Sequence, residues 1–362
     1  MIIDATATTD VSPEKLTSYS TALAGQLERA LREIGTVNHR TRLLSFNAQI
    51  EAARSGEAGA AFGVVAKEML ALSQQITEVA SELRGQSTAA IRDLSEMNQK
   101  LSTNFRGMRL SDLALTNIDL IDRNLYERSC DVRWWATDPS LCRALQEGTD
   151  EDARAYASHR LGVILDAYTV YFDLVLCDVD GRVVANGRPH HFHSVGSRQE
   201  AAPWFREAMR TQSGDEFGFQ TVHASALVNG ERALVYSCAV RENGAAKGEP
   251  LGVLGIVFRW DALAQTIVEH APLSAEERAL SRLCIIDSEG MVLADTQKRI
   301  LQERISFPEF EELLRVPKGF VITRLGSEDC CIAHAASPGY ETYATGWHSL
   351  IIQRLRASGT TP

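Results

Sequence analysis

The sequence lacks several features that would place the protein in a membrane, outside the cell or on nucleic acid. No apolar run approaches the roughly 18 residues of a membrane-spanning helix. The first residues, Met1-Ile2-Ile3-Asp4-Ala5, have neither the basic start nor the apolar core of a signal peptide. The seven cysteines show no CxxC spacing, and the net charge of −10 gives no general attraction to nucleic acid. We therefore expect a cytoplasmic protein with reduced thiols, no membrane span and no nucleic-acid partner.

Motifs of common enzymes are also missing. The sequence has no GxSxG nucleophile elbow, no phosphate-binding P-loop, no GxGxxG fingerprint and no metalloprotease signature. We expect no catalytic residue and no cofactor, and we keep an enzyme with a site assembled in space as a third hypothesis. The chain is 44% hydrophobic and 23% charged over 362 residues, which suits a globular protein of two or three domains.

What is present begins with helical periodicity on both sides of a small-residue break. On both sides of the break, apolar residues recur at intervals of three and four residues. The first series is Leu23, Leu27, Ala30, Ile34, Val37, Thr41, Leu44 and Ala48, and the second is Phe62, Val65, Met69, Leu72, Ile76, Val79 and Leu83. Between them, Ser55-Gly56-Glu57-Ala58-Gly59 predicts a tight turn. The pattern indicates an antiparallel helical hairpin over residues 14–109, with its turn at 55–60, after a polar tail at 1–13.

One hairpin buries only one face of each helix. A second copy would cover the remaining apolar positions and give a dimeric four-helix bundle, a coiled-coil homodimer. The alternative is a monomeric hairpin that folds against the C-terminal part of the chain.

Beyond the hairpin the helical pattern continues and then changes period. It ends at Asp138-Pro139, since the residue before proline disfavours helix. The segments around Asp180-Gly181 and Glu289-Gly290 then each predict a strand, a tight turn and a second strand. Two copies of one unit favour two related α+β modules in tandem, the first with the long helix over 110–270 and the second over 271–362.

The segment 43–66 resembles the signalling tip of methyl-accepting chemotaxis proteins. The matching positions are Leu43, Leu44, Asn47, Ala48, Ile50, Glu51, Ala52, Ala53, Arg54, Gly56, Glu57, Gly59, Phe62, Val64, Val65 and Ala66. The resemblance implies that Asn47, Glu51, Arg54 and Val64 contact a histidine kinase or its coupling protein. For Glu51 and Arg54, three residues apart on one helix face, a solvated ion pair is the alternative.

Residues 110–353 resemble a double Cache sensor domain. The resemblance rests on Asp180-Gly181, Pro203-Trp204-Phe205, Val235-Tyr236-Ser237 and Gly252-Val253-Leu254-Gly255. It implies a long leading helix followed by two PAS-like antiparallel-sheet modules, with a small molecule held between the sheet and the capping helices of the first module.

Three residues are candidates to line that pocket. Trp204 would supply a flat apolar wall, Tyr236 a hydroxyl, and Arg198 a planar cation for a carboxylate. Core packing is the alternative for the two aromatic residues, and a solvated loop position is the alternative for Arg198. The positions where amino-acid-binding members carry their gripping Arg, Tyr and Asp align here with Ala202, Ser197 and Val257. The resemblance therefore does not predict an amino-acid ligand.

A histidine-rich segment follows the first strand pair. His190, His191 and His193 lie within four residues, and imidazoles can bind transition metals. The segment has neither a nearby cysteine nor an HExxH frame, so we predict no metal site and interpret it as a pH-sensitive or inert loop.

Two functions fit these features. The first is a sensory protein that reads a small ligand in the first Cache-like module and relays binding through the long helix to the hairpin. The second is a scaffold or adaptor, without a ligand, that oligomerises or joins receptor or kinase complexes through the hairpin.

Overall fold

The computed structural model describes residues 13–355, so the predicted N-terminal tail lies, apart from Pro13, outside the described residues. The chain divides between Arg106 and Gly107 into two compact units. In the described residues, no helix is both long enough and apolar enough to span a membrane.

Eight α-helices are formed by the described residues. They are α1 (Pro13–Arg54), α2 (Ala60–Trp135), α3 (Pro139–Gln146), α4 (Glu151–Ala167), α5 (Pro203–Arg210), α6 (Trp260–Glu269), α7 (Ala275–Leu280) and α8 (Phe310–Leu314). The predicted end of the long helix is confirmed, because α2 stops at Trp135 and Asp138 caps α3 by accepting from the backbone N–H of Ser140.

The reversal between α1 and α2 is confirmed. A short 3₁₀ turn spans Gly56–Gly59, and Gly56 has a φ of 60°, in the left-handed region that favours glycine. A Cβ atom on Gly59 would collide with the backbone carbonyl of Ala52. These two glycines let the chain turn within four residues.

The interior of the hairpin differs from the predicted pairing of the two apolar series. The buried positions are Ser20, Leu31, Asn38 and Ser45 on α1 and Ala66 and Ser73 on the part of α2 that belongs to the hairpin. Small and polar side chains therefore fill this seam, and they let the helices come close together.

A hydrogen-bonded polar layer lies in the same seam. The Asn38 amide donates to the Ser73 carbonyl and to Thr77 Oγ1, at 2.8 Å each, and Ser73 Oγ donates to Asn38 Oδ1 at 2.7 Å. Most of the apolar residues that were predicted to pair are exposed in a single chain. They include Ile34, Val37, Leu44, Val65, Leu72 and Val79.

The second unit contains two five-stranded antiparallel sheets. Their strands are β1 (Tyr171–Asp178), β2 (Val183–Asn186), β3 (Gly218–Ser225), β4 (Glu231–Arg241), β5 (Pro250–Arg259), β6 (Ser281–Ile286), β7 (Val292–Asp295), β8 (Lys318–Leu325), β9 (Glu328–Ala336) and β10 (His348–Arg354). The strand orders are β2-β1-β5-β4-β3 and β7-β6-β10-β9-β8. The same order in both sheets confirms the prediction of two related modules in tandem.

The C-terminal part of α2 packs into the main core of this unit. Its buried apolar residues recur at helical spacing on one face. They are Leu110, Ala114, Ile118, Ile121, Leu125 and Val132. The other face of each sheet carries a separate apolar cluster, which includes residues of α5 in the first module and of α8 in the second.

Candidate functional site

The face of the first sheet that carries the α5 cluster holds Trp204. Its helix starts with Pro203, whose fixed φ suits the first helical position. Trp204 is only 1% exposed. A Cβ atom added to Gly255 of β5 would lie 2.9 Å from the indole, so the glycine makes room for the ring. The Trp204 carbonyl accepts a 2.7 Å hydrogen bond from Ser237 Oγ, which ties α5 to β4.

The structure does not bring the three predicted pocket residues together. Successive side chains of a strand point to opposite faces. Val235 lies in the Trp204 cluster, and the next residue, Tyr236, lies in the core on the α2 side. Arg198 is exposed and forms a 2.9 Å ion pair with Glu200. The expectation of one pocket lined by all three is therefore corrected.

The Tyr236 hydroxyl has a different partner. It forms a hydrogen bond with the hydroxyl of Tyr343, which lies between β9 and β10 of the second module. Burial, and then the nearby Tyr343, raise the pKa of Tyr236 well above its ordinary value. Tyr236 therefore links the first module to the second.

A buried carboxylate that the sequence reasoning missed lies at the edge of the Trp204 cluster. Asp173 in β1 accepts hydrogen bonds from the backbone N–H groups of Leu174, Gly187 and Arg188, at 2.9 to 3.1 Å. It also accepts a 2.7 Å bond from the amide of Asn186. Burial raises the pKa of Asp173 to about 6, although these hydrogen bonds oppose the shift.

Two buried oxygen atoms on either side of Phe192 in the chain have no partner among the described residues. They are Oδ1 of Asn186 and Oγ of Ser194. The Asn186 amide also donates to the carbonyl of Phe192, whose side chain packs against the Trp204 cluster. Apolar walls with a few polar atoms that lack partners are typical of a small-molecule site. An aspartate at the start of an apolar strand was the sequence signal that could have indicated this location.

The histidine-rich segment is exposed at His190, His191 and His193. Among residues 13–355, no group of three or more His, Cys, Asp or Glu side chains is placed to hold a metal ion.

The loop between β9 and β10 is held by a carboxylate on α2. Asp122 is fully buried and accepts from Ser337 Oγ at 2.6 Å, from the N–H of Gly339 at 2.8 Å and from Thr345 Oγ1 at 2.8 Å. Since Tyr343 of this loop meets Tyr236, the loop contacts both α2 and the first sheet. It provides a direct physical connection between the first module and α2.

The four predicted partner-binding residues are all exposed near the hairpin turn. Asn47 exposes its amide on α1, and Val64 exposes its apolar side chain on α2. Glu51 and Arg54 are 3.7 Å apart, and both side chains are more than 70% exposed. Such an ion pair contributes little stability, so both side chains are available to a partner at low cost.

Comparisons with known proteins match both parts of the chain. The family model described as "Cache domain" matches residues 64–355. The model described as "Methyl-accepting chemotaxis protein (MCP) signalling domain" matches residues 6–118.

Similar proteins match over short segments. Transducer protein Htr18 of Halobacterium salinarum is 41% identical over 76 residues, which are 19% of this chain and 9% of that protein. Methyl-accepting chemotaxis protein McpP of Pseudomonas putida is 32% identical over 117 residues, 30% of this chain and 21% of that protein. The chain thus spans less than a quarter of either curated relative.

A solved structure shares the fold of the second unit. The extracellular domain of rpHK1S-Z16, described as a histidine kinase, has a TM-score of 0.50 at 13% identity. The match covers 68% of this chain and 94% of that domain. At this identity the likeness shows the fold alone.

Proposed function

Because the chain belongs to the Cache domain family, we propose that it is a sensory signal-transduction protein that binds a small molecule in its first module. The observation that carries the proposal is the unpartnered, buried Asn186 Oδ1 and Ser194 Oγ in the module that holds the Trp204 cluster. A ligand with hydrogen-bond donors would satisfy both oxygens, while Trp204 supplies the apolar wall.

The proposed output is the hairpin. Its likeness to methyl-accepting chemotaxis protein signalling domains supports a histidine kinase or its coupling protein as partner. Ligand binding would change the packing of the loop between β9 and β10, which Asp122 holds, and α2 would carry that change toward the tip. The partner surface of the proposal is Asn47, Glu51, Arg54 and Val64.

We further propose a homodimer and a cytoplasmic location. The exposed apolar residues of the hairpin support a second copy, since a contiguous apolar surface of this kind marks an interaction site. No disulfide bond joins the seven cysteines, which all lie within residues 13–355, and this is as expected in a reducing compartment. Cell fractionation tests the location.

The ligand proposal is tested by thermal unfolding of the full chain with a library of metabolites. A compound that raises the melting temperature is then titrated against Ser194→Ala. This variant removes a hydroxyl that has no partner, so it is expected to fold normally and to lose at least about fivefold in affinity. The matched control is Ser197→Ala, whose hydroxyl already accepts from the Gln199 amide.

A scaffold without a ligand is the second candidate, favoured by the close fit of Trp204 over Gly255. If no compound stabilises the chain and partner capture still depends on Glu51 and Arg54, the scaffold replaces the sensor. Unchanged affinity of Ser194→Ala for a stabilising compound would overturn the proposed ligand position.

A further inference from the structure

A cavity lies at the end of strand β4 in the first sheet. Its volume is about 320 Å³, and it is bordered by the end of α2, the end of β4 and the connection from β4 to β5. Small-molecule pockets range from about 300 to 1,000 Å³, so a cavity of this volume suits a ligand of few atoms. Two arginines, Arg133 and Arg241, line the cavity, together with one carboxylate, that of Asp215.

Arg241 is a buried cation without a counter-ion. It is 6% exposed, and its partners are neutral oxygens: Nη1 donates to the Gly248 carbonyl at 2.9 Å, and Nη2 donates to the Thr211 carbonyl at 2.6 Å and to Thr211 Oγ1 at 3.1 Å. Its Nε is buried without any partner in the described part of the chain. Burying a guanidinium costs free energy, and an anion nearby would offset that cost.

Arg133 brings a second uncompensated charge to the same cavity. Its Nε donates to the Ser129 carbonyl at 2.8 Å and its Nη1 to the Asp215 carbonyl at 3.1 Å. Neither Arg133 nor Arg241 forms an ion pair with a carboxylate of residues 13–355. Two guanidinium groups against one carboxylate leave the cavity positively charged.

Most of the other lining residues are small. They include the alanines at 239, 245 and 246, together with Thr137 and the exposed Trp134. This surface would contact a short alkyl chain, whereas a bare inorganic anion would leave it unused.

We propose that this cavity is a second binding site, which takes a small organic carboxylate. The carboxylate lies between the guanidinium groups of Arg133 and Arg241, and its short alkyl part lies against the alanines. The site is separate from the proposed ligand position, because neither Asn186 nor Ser194 is among its lining residues.

The test is calorimetric titration of the full chain with sodium propionate, with propionamide as the neutral counterpart and inorganic phosphate as the bare anion. We expect propionate to bind at millimolar concentration and propionamide not to bind. Arg241→Gln and Arg133→Gln should each weaken propionate binding by about tenfold or more, because each removes a charged donor. Ser194→Ala and the exposed Arg210→Gln should leave it unchanged.

Arg133→Gln keeps the test decisive if Arg241→Gln fails to fold, since Arg133 is half-buried and bonded only to neutral groups. Absence of propionate binding would overturn the proposal, as would equal binding by the wild type and folded Arg133→Gln. Phosphate binding as tight as propionate binding would overturn the assignment to a carboxylate.

Discussion

Two imidazole rings lie in contact inside the second module. His334 Nε2 and His348 Nδ1 are 2.8 Å apart, and His334 is fully buried. The facing nitrogens share a single proton, so the pair is compatible with neutral rings. Burial, and then the neighbouring His348, lower the pKa of His334 to about 4. Burial also lowers the pKa of His348, while Asp287 opposes that shift.

This pair predicts that acid destabilises the second module. The folded state keeps His334 neutral, whereas an unfolded histidine takes up a proton below pH of about 6.5. The contribution of neutral His334 to the free energy of unfolding is therefore fully present above that pH. It falls by about 3 kcal/mol as the pH drops toward 4. Urea unfolding at a series of pH values measures the loss.

The control for this prediction is His334→Gln, which has no titrating ring and can still hydrogen-bond to His348. We expect its stability to fall less steeply over the same pH range than that of the wild type. Parallel pH profiles of the two proteins would contradict the account of His334.

Single residues also show where prediction from the sequence stops. The turn glycines follow from residue type, because only glycine readily accepts the backbone of Gly56. Tyr236 was assigned to the ligand pocket by resemblance. Because side chains alternate along a strand, Tyr236 and its neighbour Val235 must face opposite sides of the sheet, and it is Val235 that faces Trp204. Asp173 was missed because its partners, such as the N–H of Gly187, come from another element.

At the scale of elements, the hairpin turn depends on close backbone approach. We predict that Gly59→Ala destabilises the tip, because the added Cβ meets the fixed carbonyl of Ala52. At Gly63 an added Cβ would lie 3.7 Å from Ala52 Cβ, an ordinary contact, so Gly63→Ala should stabilise α2 by up to about 1 kcal/mol. Amide hydrogen exchange near the turn distinguishes the two variants. Equal protection in both would show that the turn is not tightly packed.

The helices themselves were predictable, and their pairing was not. Heptad spacing predicts a helix with an apolar stripe, but it does not say whether the partner is the other arm or another chain. The arms of this hairpin pair through Leu31, Asn38 and Ser45, which are spaced by seven but mostly not apolar.

At the scale of the whole molecule, the exposed apolar residues of the hairpin predict a dimer. Val37 and Leu72 are 63% and 58% exposed in one chain. Glutamate at both positions would place four charges in the interface of a dimer, so Val37→Glu/Leu72→Glu should shift sedimentation from dimer to monomer. Gln26→Glu/Gln99→Glu adds the same charge at exposed polar positions and should remain dimeric. A monomeric wild type would contradict the proposed assembly.

The central claim is that ligand occupancy of the first module controls a partner at the hairpin tip. The most direct measurement is the phosphorylation rate of a histidine kinase and its coupling protein from the same cell, mixed with the full chain and a stabilising compound. We predict that the compound changes the rate by about fivefold or more. The change should be lost in Glu51→Ala/Arg54→Ala and kept in Arg92→Ala/Glu96→Ala, which removes another exposed ion pair. Equal rates with and without the compound in the wild type would contradict the account.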